Sequence, residues 1–202
     1  MSISQQIEKS DEDIRKTVLM NIVKMITERG ILKYEDLDKN INSLLSQQSD
    51  EYIYKIKPVN HLLIVIKLYQ TKIASINKTS SIYEFLTKHS EHHKIVVTKE
   101  MNDNNIKNIK NTFPRTEIFM ENTLMVNLLE NEFVSPYEII GRETELYKNF
   151  YSDHKCKKKN LPEIRGNTDK MALYYNLKKD DIIKVLRPSE STGLSAHYRI
   201  VV

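Results

Sequence analysis

The chain has 202 residues, of which 40% are hydrophobic and 29% charged, and its formal net charge is +4. That balance describes a globular chain, not a disordered one, long enough for one large domain or two modest ones. A single cysteine, Cys156, excludes an intrachain disulfide and a cysteine-rich zinc site.

The single cysteine favours a reducing compartment, and the first residues are polar and do not read as a signal peptide. The longest apolar run near the middle, residues 62–66, is too short to cross a bilayer. Charge is uneven along the chain. Residues 1–141 carry 18 basic and 19 acidic groups, whereas residues 142–202 carry 13 and 8. A positive C-terminal third suits a nucleic acid or an acidic protein partner, and equally a solvated face.

In chain order, Ser10 with Asp13 reads as a helix start in a variant of the capping box. Ile14, Val18, Ile22, Met25 and Ile26 then recur at helical spacing, and Gly30 closes the helix. A second helix begins near residues 34–38, with Leu37, Ile41, Leu44 and Leu45 on its apolar side. Residues 47–57 read as a connection, and Pro58 disfavours a strand centre. Residues 62–68, 95–98, 117–120 and 124–129 read as strands, and residues 80–89 and 102–111 as helices. This alternation predicts an α/β layered domain.

Beyond it the pattern changes. A helix is expected over residues 142–151, then a basic connection carrying Lys155, Lys157, Lys158 and Lys159. An extended corner follows at Leu161 to Ile164, because Pro162 pushes Leu161 out of the helical region. Thr168 or Asp169 caps a short helix that Asn176 closes in a left-handed conformation. The chain ends in a β-hairpin, with strands at residues 182–186 and 196–202 and a long loop over 187–195 holding Pro188 and Gly193. The domain boundary falls near residues 130–135, giving domains 1–130 and 131–202.

Candidate chemistry is sparse. The 4 glycines fall in neither GxGxxG nor GxxxxGK spacing, so no nucleotide cradle and no cofactor are expected. His89, His92 and His93 lack a convincing carboxylate pair for a metal and read as a polar surface turn. Cys156 lies near His154, but no positioned base or oxyanion site accompanies it, so the thiol reads as incidental. Asp50 and Glu51 with Lys55 faintly resemble a metal-dependent nuclease cluster, yet no acid projects from the neighbouring strand to converge on a cation. No catalytic residue and no metal are expected. Lys88, Lys94, Lys99, Lys107 and Lys110 recur near element ends and are candidates for contact with DNA-backbone phosphates, without base readout.

One resemblance is specific. Leu161, Pro162, Glu163 and Ile164, then Asp169, Ala172, Leu173 and Tyr174, then Lys184 through the Arg187, Pro188, Ser189, Glu190, Ser191, Thr192, Gly193 run, and finally Tyr198, Arg199 and Ile200, resemble the assembly domain of the fifth common subunit of eukaryotic DNA-directed RNA polymerases. The same module on its own constitutes the related archaeal RNA polymerase subunit. The strong resemblance covers residues 131–202. A weaker one, through residues 13–30, 94–97 and 116–136, extends it to the eukaryotic or large-DNA-virus form, with an N-terminal jaw.

The resemblance implies an α/β jaw of restriction-endonuclease-like fold without nuclease catalysis, and a small α+β assembly domain with a terminal β-hairpin. It implies a non-catalytic subunit that anchors to the largest polymerase subunit and helps position downstream duplex DNA. Subunit-contact candidates are Leu161, Pro162, Ile164, Arg187, Pro188, Ser189, Glu190, Gly193, Tyr198 and Arg199. Neither a membrane nor a small-molecule substrate is implied. The expected location is the virion and host cytoplasm for a viral chain, and the nucleus for a cellular one. A free nucleic-acid-binding accessory protein is the alternative. The chain departs from the family pattern at Glu163, where arginine is usual, at Lys170, at Asn176 and Asp180, which replace turn glycines, and around Ser135, Pro136 and Tyr137.

Overall fold

An apolar stripe at helical spacing becomes a helix once both ends are closed, and α1 (Asp11–Glu28) has both closures. The Ser10 hydroxyl accepts from the Asp13 backbone N–H at 3.2 Å and donates to the Asp13 carboxylate at 2.6 Å. At the other end Gly30, at φ +72°, lets Gly30 N–H reach the Thr27 carbonyl and Ile31 N–H reach the Ile26 carbonyl. That double closure needs a left-handed residue, which glycine supplies without a Cβ clash. The computed structural model describes residues 9–202 except 48, 50, 131–133 and 136. The chain divides into two units, Met1–Asn127 and Leu128–Val202.

In the first unit, α1 is followed by a single 3-10 turn at Tyr34–Asp36 and by α2 (Leu37–Leu45). A four-stranded sheet has the order β1 (Ile53–Ile56), β2 (Ile64–Tyr69), β3 (His93–Thr98), β4 (Thr116–Met120). β1 runs antiparallel to β2, and β2, β3 and β4 run parallel. The parallel connections carry α3 (Ser81–Lys88) and α4 (Asp103–Thr112). Parallel strands covered on both faces read as unbroken apolar runs, and Ile64, Val65 and Ile66, then Ile95, Val96 and Val97, are buried throughout. Val65, Val96 and Ile118 pack with Phe85, Leu86 and Ile109 from the crossover helices.

Two expectations are corrected here. The connection expected over residues 47–57 contains β1, in which Tyr54 and Ile56 are buried and Lys55 is exposed. Pro58 falls just past its end, where it interrupts nothing. The strand expected over residues 124–129 is instead a helical turn, α5 (Glu121–Leu124), and a 3-10 turn, Leu128–Glu130. A short apolar run does not distinguish the two periods. Here Leu124 is buried, and its carbonyl accepts from the Asn21 side chain on α1 at 2.8 Å.

The second unit holds β5 (Tyr137–Ile140), α6 (Glu145–Asp153), β6 (Glu163–Ile164), α7 (Lys170–Tyr174), β7 (Ile182–Ser189) and β8 (Gly193–Val201). Sheet order is β5-β7-β8-β6, with β6 parallel to β8 and the other pairs antiparallel. One face packs Ile140, Ile182 and Phe150 together, and the other packs Ile164, Ile183, Val185 and Val201. Asp169 caps α7 by accepting from Met171 and Ala172 N–H. Asn176, at φ 51°, closes it, with Asn176 N–H on the Leu173 carbonyl and Leu177 N–H on the Ala172 carbonyl.

The terminal hairpin differs from expectation in its loop. Strand pairing runs continuously from Ile182↔Ile200 to Ser189↔Gly193, so residues 187–189 and 193–195 are strand and only residues 190–192 turn. Pro188 is tolerated because that half of β7 is paired on one side only, an edge position where a missing N–H costs little. Gly193, at φ +73°, supplies the left-handed turn residue. No described helix is long and apolar enough to cross a membrane.

Candidate protein and nucleic-acid contact surfaces

The second unit presents a β-ribbon. The helix-covered core ends at Val185 on β7 and Ile200 on β8, and both strands continue past it with exposed or half-buried residues. Arg187, Pro188, Glu190 and Gly193 are exposed on this ribbon, and Ser189 is half-buried with its Oγ 3.3 Å from the Ser191 Oγ. Tyr198 and Arg199 sit nearer the core. Tyr198 packs edge-on against Phe150 and His154, with centroids 5.0 and 4.7 Å away. Arg187 and Arg199 flank Tyr137, whose hydroxyl pKa is raised by burial and by Asp169 and is pulled back by the two guanidiniums. Among the described residues neither arginine forms a carboxylate ion pair.

The Leu-Pro corner divides. Pro162 is exposed, and its carbonyl accepts from Ile200 N–H at 2.9 Å. Leu161 is half-buried against the Phe150 cluster. Ile164 is a correction to the contact set: it is only 6% exposed and belongs to the core with Ile183, Val185 and Val201. Pairing with Val201 turns it inward.

The five lysines of the first unit do not form one patch. Lys88 ends α3 before β3 begins, whereas Lys99 follows the end of β3. Six strand residues, about 20 Å, separate these two levels of the sheet. Lys107 lies exposed on α4. Lys99 borders a small cleft with Arg15, Tyr52, Tyr69 and Glu121. Lys110 is half-buried, and burial lowers its pKa against the opposing pull of Glu117.

Lys94 is withdrawn as a phosphate contact. It is fully buried, and its ammonium donates to the carbonyls of His89, Ser90, His92 and Pro114 at 3.3, 3.3, 3.1 and 3.2 Å. These are the C-cap carbonyl of α3 at His89, the turn carbonyls of Ser90 and His92 that follow it, and the Pro114 carbonyl before β4. Desolvation, then Arg115, lower the Lys94 pKa.

The expected histidine turn holds in part: His92 lies half-buried in the turn that follows α3, whereas His89 is buried and His93 opens β3. His89 is buried against Phe85, ring centroids 5.0 Å apart, and burial lowers its pKa. His93 places Nε2 at 2.6 Å from Glu117, which also receives Arg29. The sequence offered no sign of this Arg29–Glu117–His93 cluster, because its members lie 24 to 88 positions apart. Among the described residues no three His, Cys, Asp or Glu side chains gather as metal ligands. Asp50 and Pro136 lie outside the described residues.

These are candidate contact features: a two-stranded ribbon, guanidiniums without a carboxylate ion pair among the described residues, and exposed lysines. Comparison with known proteins gives them a family. Residues 126–201 match the model of the RNA polymerase Rpb5 C-terminal domain. DNA-directed RNA polymerase subunit 5 of Acanthamoeba polyphaga mimivirus is 32% identical over 98% of this chain and 96% of its own length. The RPABC1 subunit of RNA polymerases I, II and III from Caenorhabditis elegans is 28% identical, covering 94% of each chain. Its Dictyostelium discoideum counterpart is 34% identical over 43% of this chain and 42% of its own length. The chain belongs to the Rpb5/RPABC1 family of DNA-directed RNA polymerase subunits, whose role in the enzyme is non-catalytic. The family has both viral and eukaryotic members.

Proposed function

We propose that the C-terminal unit, residues 131–202, is an assembly domain anchoring this chain to the largest subunit of a DNA-directed RNA polymerase. In the same proposal residues 1–130 form a jaw domain of restriction-endonuclease-like fold beside the downstream duplex. The observation that carries the proposal is likeness along the whole chain, 32% identity over 98% of it, to the mimivirus polymerase subunit. The sheet with one antiparallel and three parallel strands, and helices in its crossovers, supports the jaw assignment.

The chemistry is that of placement. Arg187 and Arg199 are free to make directional pairs with carboxylates or carbonyls of a partner. Leu161, Pro162, Pro188, Ser189, Glu190, Gly193 and Tyr198 complete that contact set. Lys88, Lys99 and Lys107 neutralise backbone phosphates and read no bases. Nucleotidyl transfer belongs to other subunits. Likeness to the mimivirus subunit favours the virion and host cytoplasm as the place of action, over the nucleus of the cellular relatives.

The test is affinity purification of the tagged full chain from its native source, with the co-purifying proteins quantified by mass spectrometry. The largest polymerase subunit is expected in near-equal amount. A chain that purifies alone, and binds isolated duplexes in a salt-dependent way, overturns the proposal and supports a free accessory protein.

A further inference from the structure

The ribbon has two chemically different faces. In an antiparallel pair, directly opposed residues share a face and successive residues alternate. Pairing of Leu186 with Ala196 and of Pro188 with Leu194 puts four apolar residues together on one face of the distal half. Leu194 is 65% exposed, Pro188 and Ala196 are exposed, and Leu186 is half-buried. The opposite face carries Arg187 with Ser195, then His197, then Arg199. Closer to the core each face is covered, by the Phe150 cluster on one and by Leu177 and Tyr137 on the other. Beyond Val185 this cover stops.

We infer that the distal ribbon inserts into a cleft of the largest polymerase subunit, with one apolar wall against Leu186, Pro188, Leu194 and Ala196 and one acidic wall against Arg187. This inference rests on the proposed assembly role and adds the orientation and the chemistry of the partner. Charge complementarity selects the acidic wall, since Arg187 has no carboxylate partner among the described residues. A flat partner would satisfy one face and leave the other wet. A cleft satisfies both, and it also meets the ribbon's backbone edges, since β5 pairs with β7 only as far as Val185 and β6 meets β8 only at Ile200 and Val201. No residue of the motif shared with the family singles out Leu194; only the strand register places it on the apolar face.

The experiment uses the full tagged chain in its native source, reading the amount of largest polymerase subunit retained per chain. Leu194→Glu is expected to lower retention at least tenfold, and Leu194→Met to keep it. Arg187→Glu is expected to lower it most at low salt, because screening weakens an exposed pair. Circular dichroism and thermal unfolding of each purified variant establish that the unit is folded. Ala196→Lys, on the same face, is the second probe should Leu194→Glu fail to fold. Retention within twofold of wild type for folded Leu194→Glu or Ala196→Lys overturns the inference while leaving the assembly role intact. So does a free wild-type chain that sediments as a dimer and becomes a monomer on Leu194→Glu. Absence of polymerase subunits from the wild-type purification removes the assembly role itself.

Discussion

Arg29, at the end of α1, donates two guanidinium N–H groups to Glu117 on β4, at 2.8 and 2.7 Å. The two side chains are 6% and 9% exposed, so this is a buried pair that ties the first helix to the last strand of its sheet. Burial raises the Glu117 pKa, but the His93 hydrogen bond and the Arg29 charge outweigh it and hold the carboxyl below its ordinary 4.5.

Removing one member leaves a buried charge without its partner, which costs about 3–5 kcal/mol. Glu117→Gln is therefore expected to destabilise the first unit by that amount near neutral pH, measured by urea unfolding. The sign of the pH dependence follows from the depressed pKa. The wild-type contribution is complete above the ordinary value of 4.5 and disappears as pH falls through the lower folded value. The difference between wild type and Glu117→Gln should shrink below pH 4.5; a gap that stays constant on further acidification would refute the assignment.

Lys94 makes a second prediction. Its four carbonyl acceptors are backbone groups at the end of α3 and before β4, and methionine fills the space without donating. Lys94→Met is expected to cost about 3 kcal/mol, because buried acceptors lose a charged donor. Lys99→Met, at an exposed position, should stay within about 0.5 kcal/mol of wild type. Equal stabilities for the two variants would show that the buried ammonium carries no structural role.

Asn176 tests backbone strain in the second unit. Its φ of 51° is left-handed, and asparagine tolerates that region better than residues with larger or branched side chains. Asn176→Ala should lower the thermal stability of the unit by about 1 kcal/mol, and Asn176→Gly should leave it unchanged or raise it. If alanine and glycine prove equivalent, the α7 closure is not under conformational constraint.

Sequence periodicity was sufficient where a long pattern carried its own stops. α1 is the clearest example, with a cap at Ser10 and a closing Gly30 around a continuous stripe. The hairpin was legible as a hairpin, but Pro188 and Gly193 made its distal half resemble a loop. The physical reason is that an edge strand tolerates proline and a turn glycine also ends a strand. β1 and β5 escaped notice because each has four residues, too few for a period to stand out. The contact candidates on the ribbon come from the shared motif and not from periodicity, and they stand as a proposal. The burial of Lys94 and Ile164 was not, since it depends on carbonyls and strands brought together by the fold.

Lys88, Lys99 and Lys107 are the exposed members of the proposed DNA-contact set, and Lys110 is its half-buried member. The three exposed lysines take part in no carboxylate ion pair among the described residues. Each phosphate neutralised by a lysine releases counterions, and the slope of log affinity against log salt changes by about 0.9 per contact on B-form DNA. Replacing all three by glutamine should therefore flatten that slope by about 2.7 if each meets one phosphate. Fluorescence anisotropy of a labelled duplex titrated with the full chain, across a salt series, gives both slopes. Lys94→Gln serves as the contrast: a folded variant should leave the slope unchanged, because its ammonium faces carbonyls inside the unit. A triple variant with the wild-type slope would remove these lysines from the DNA path and direct attention to the guanidinium groups and lysines elsewhere in the chain.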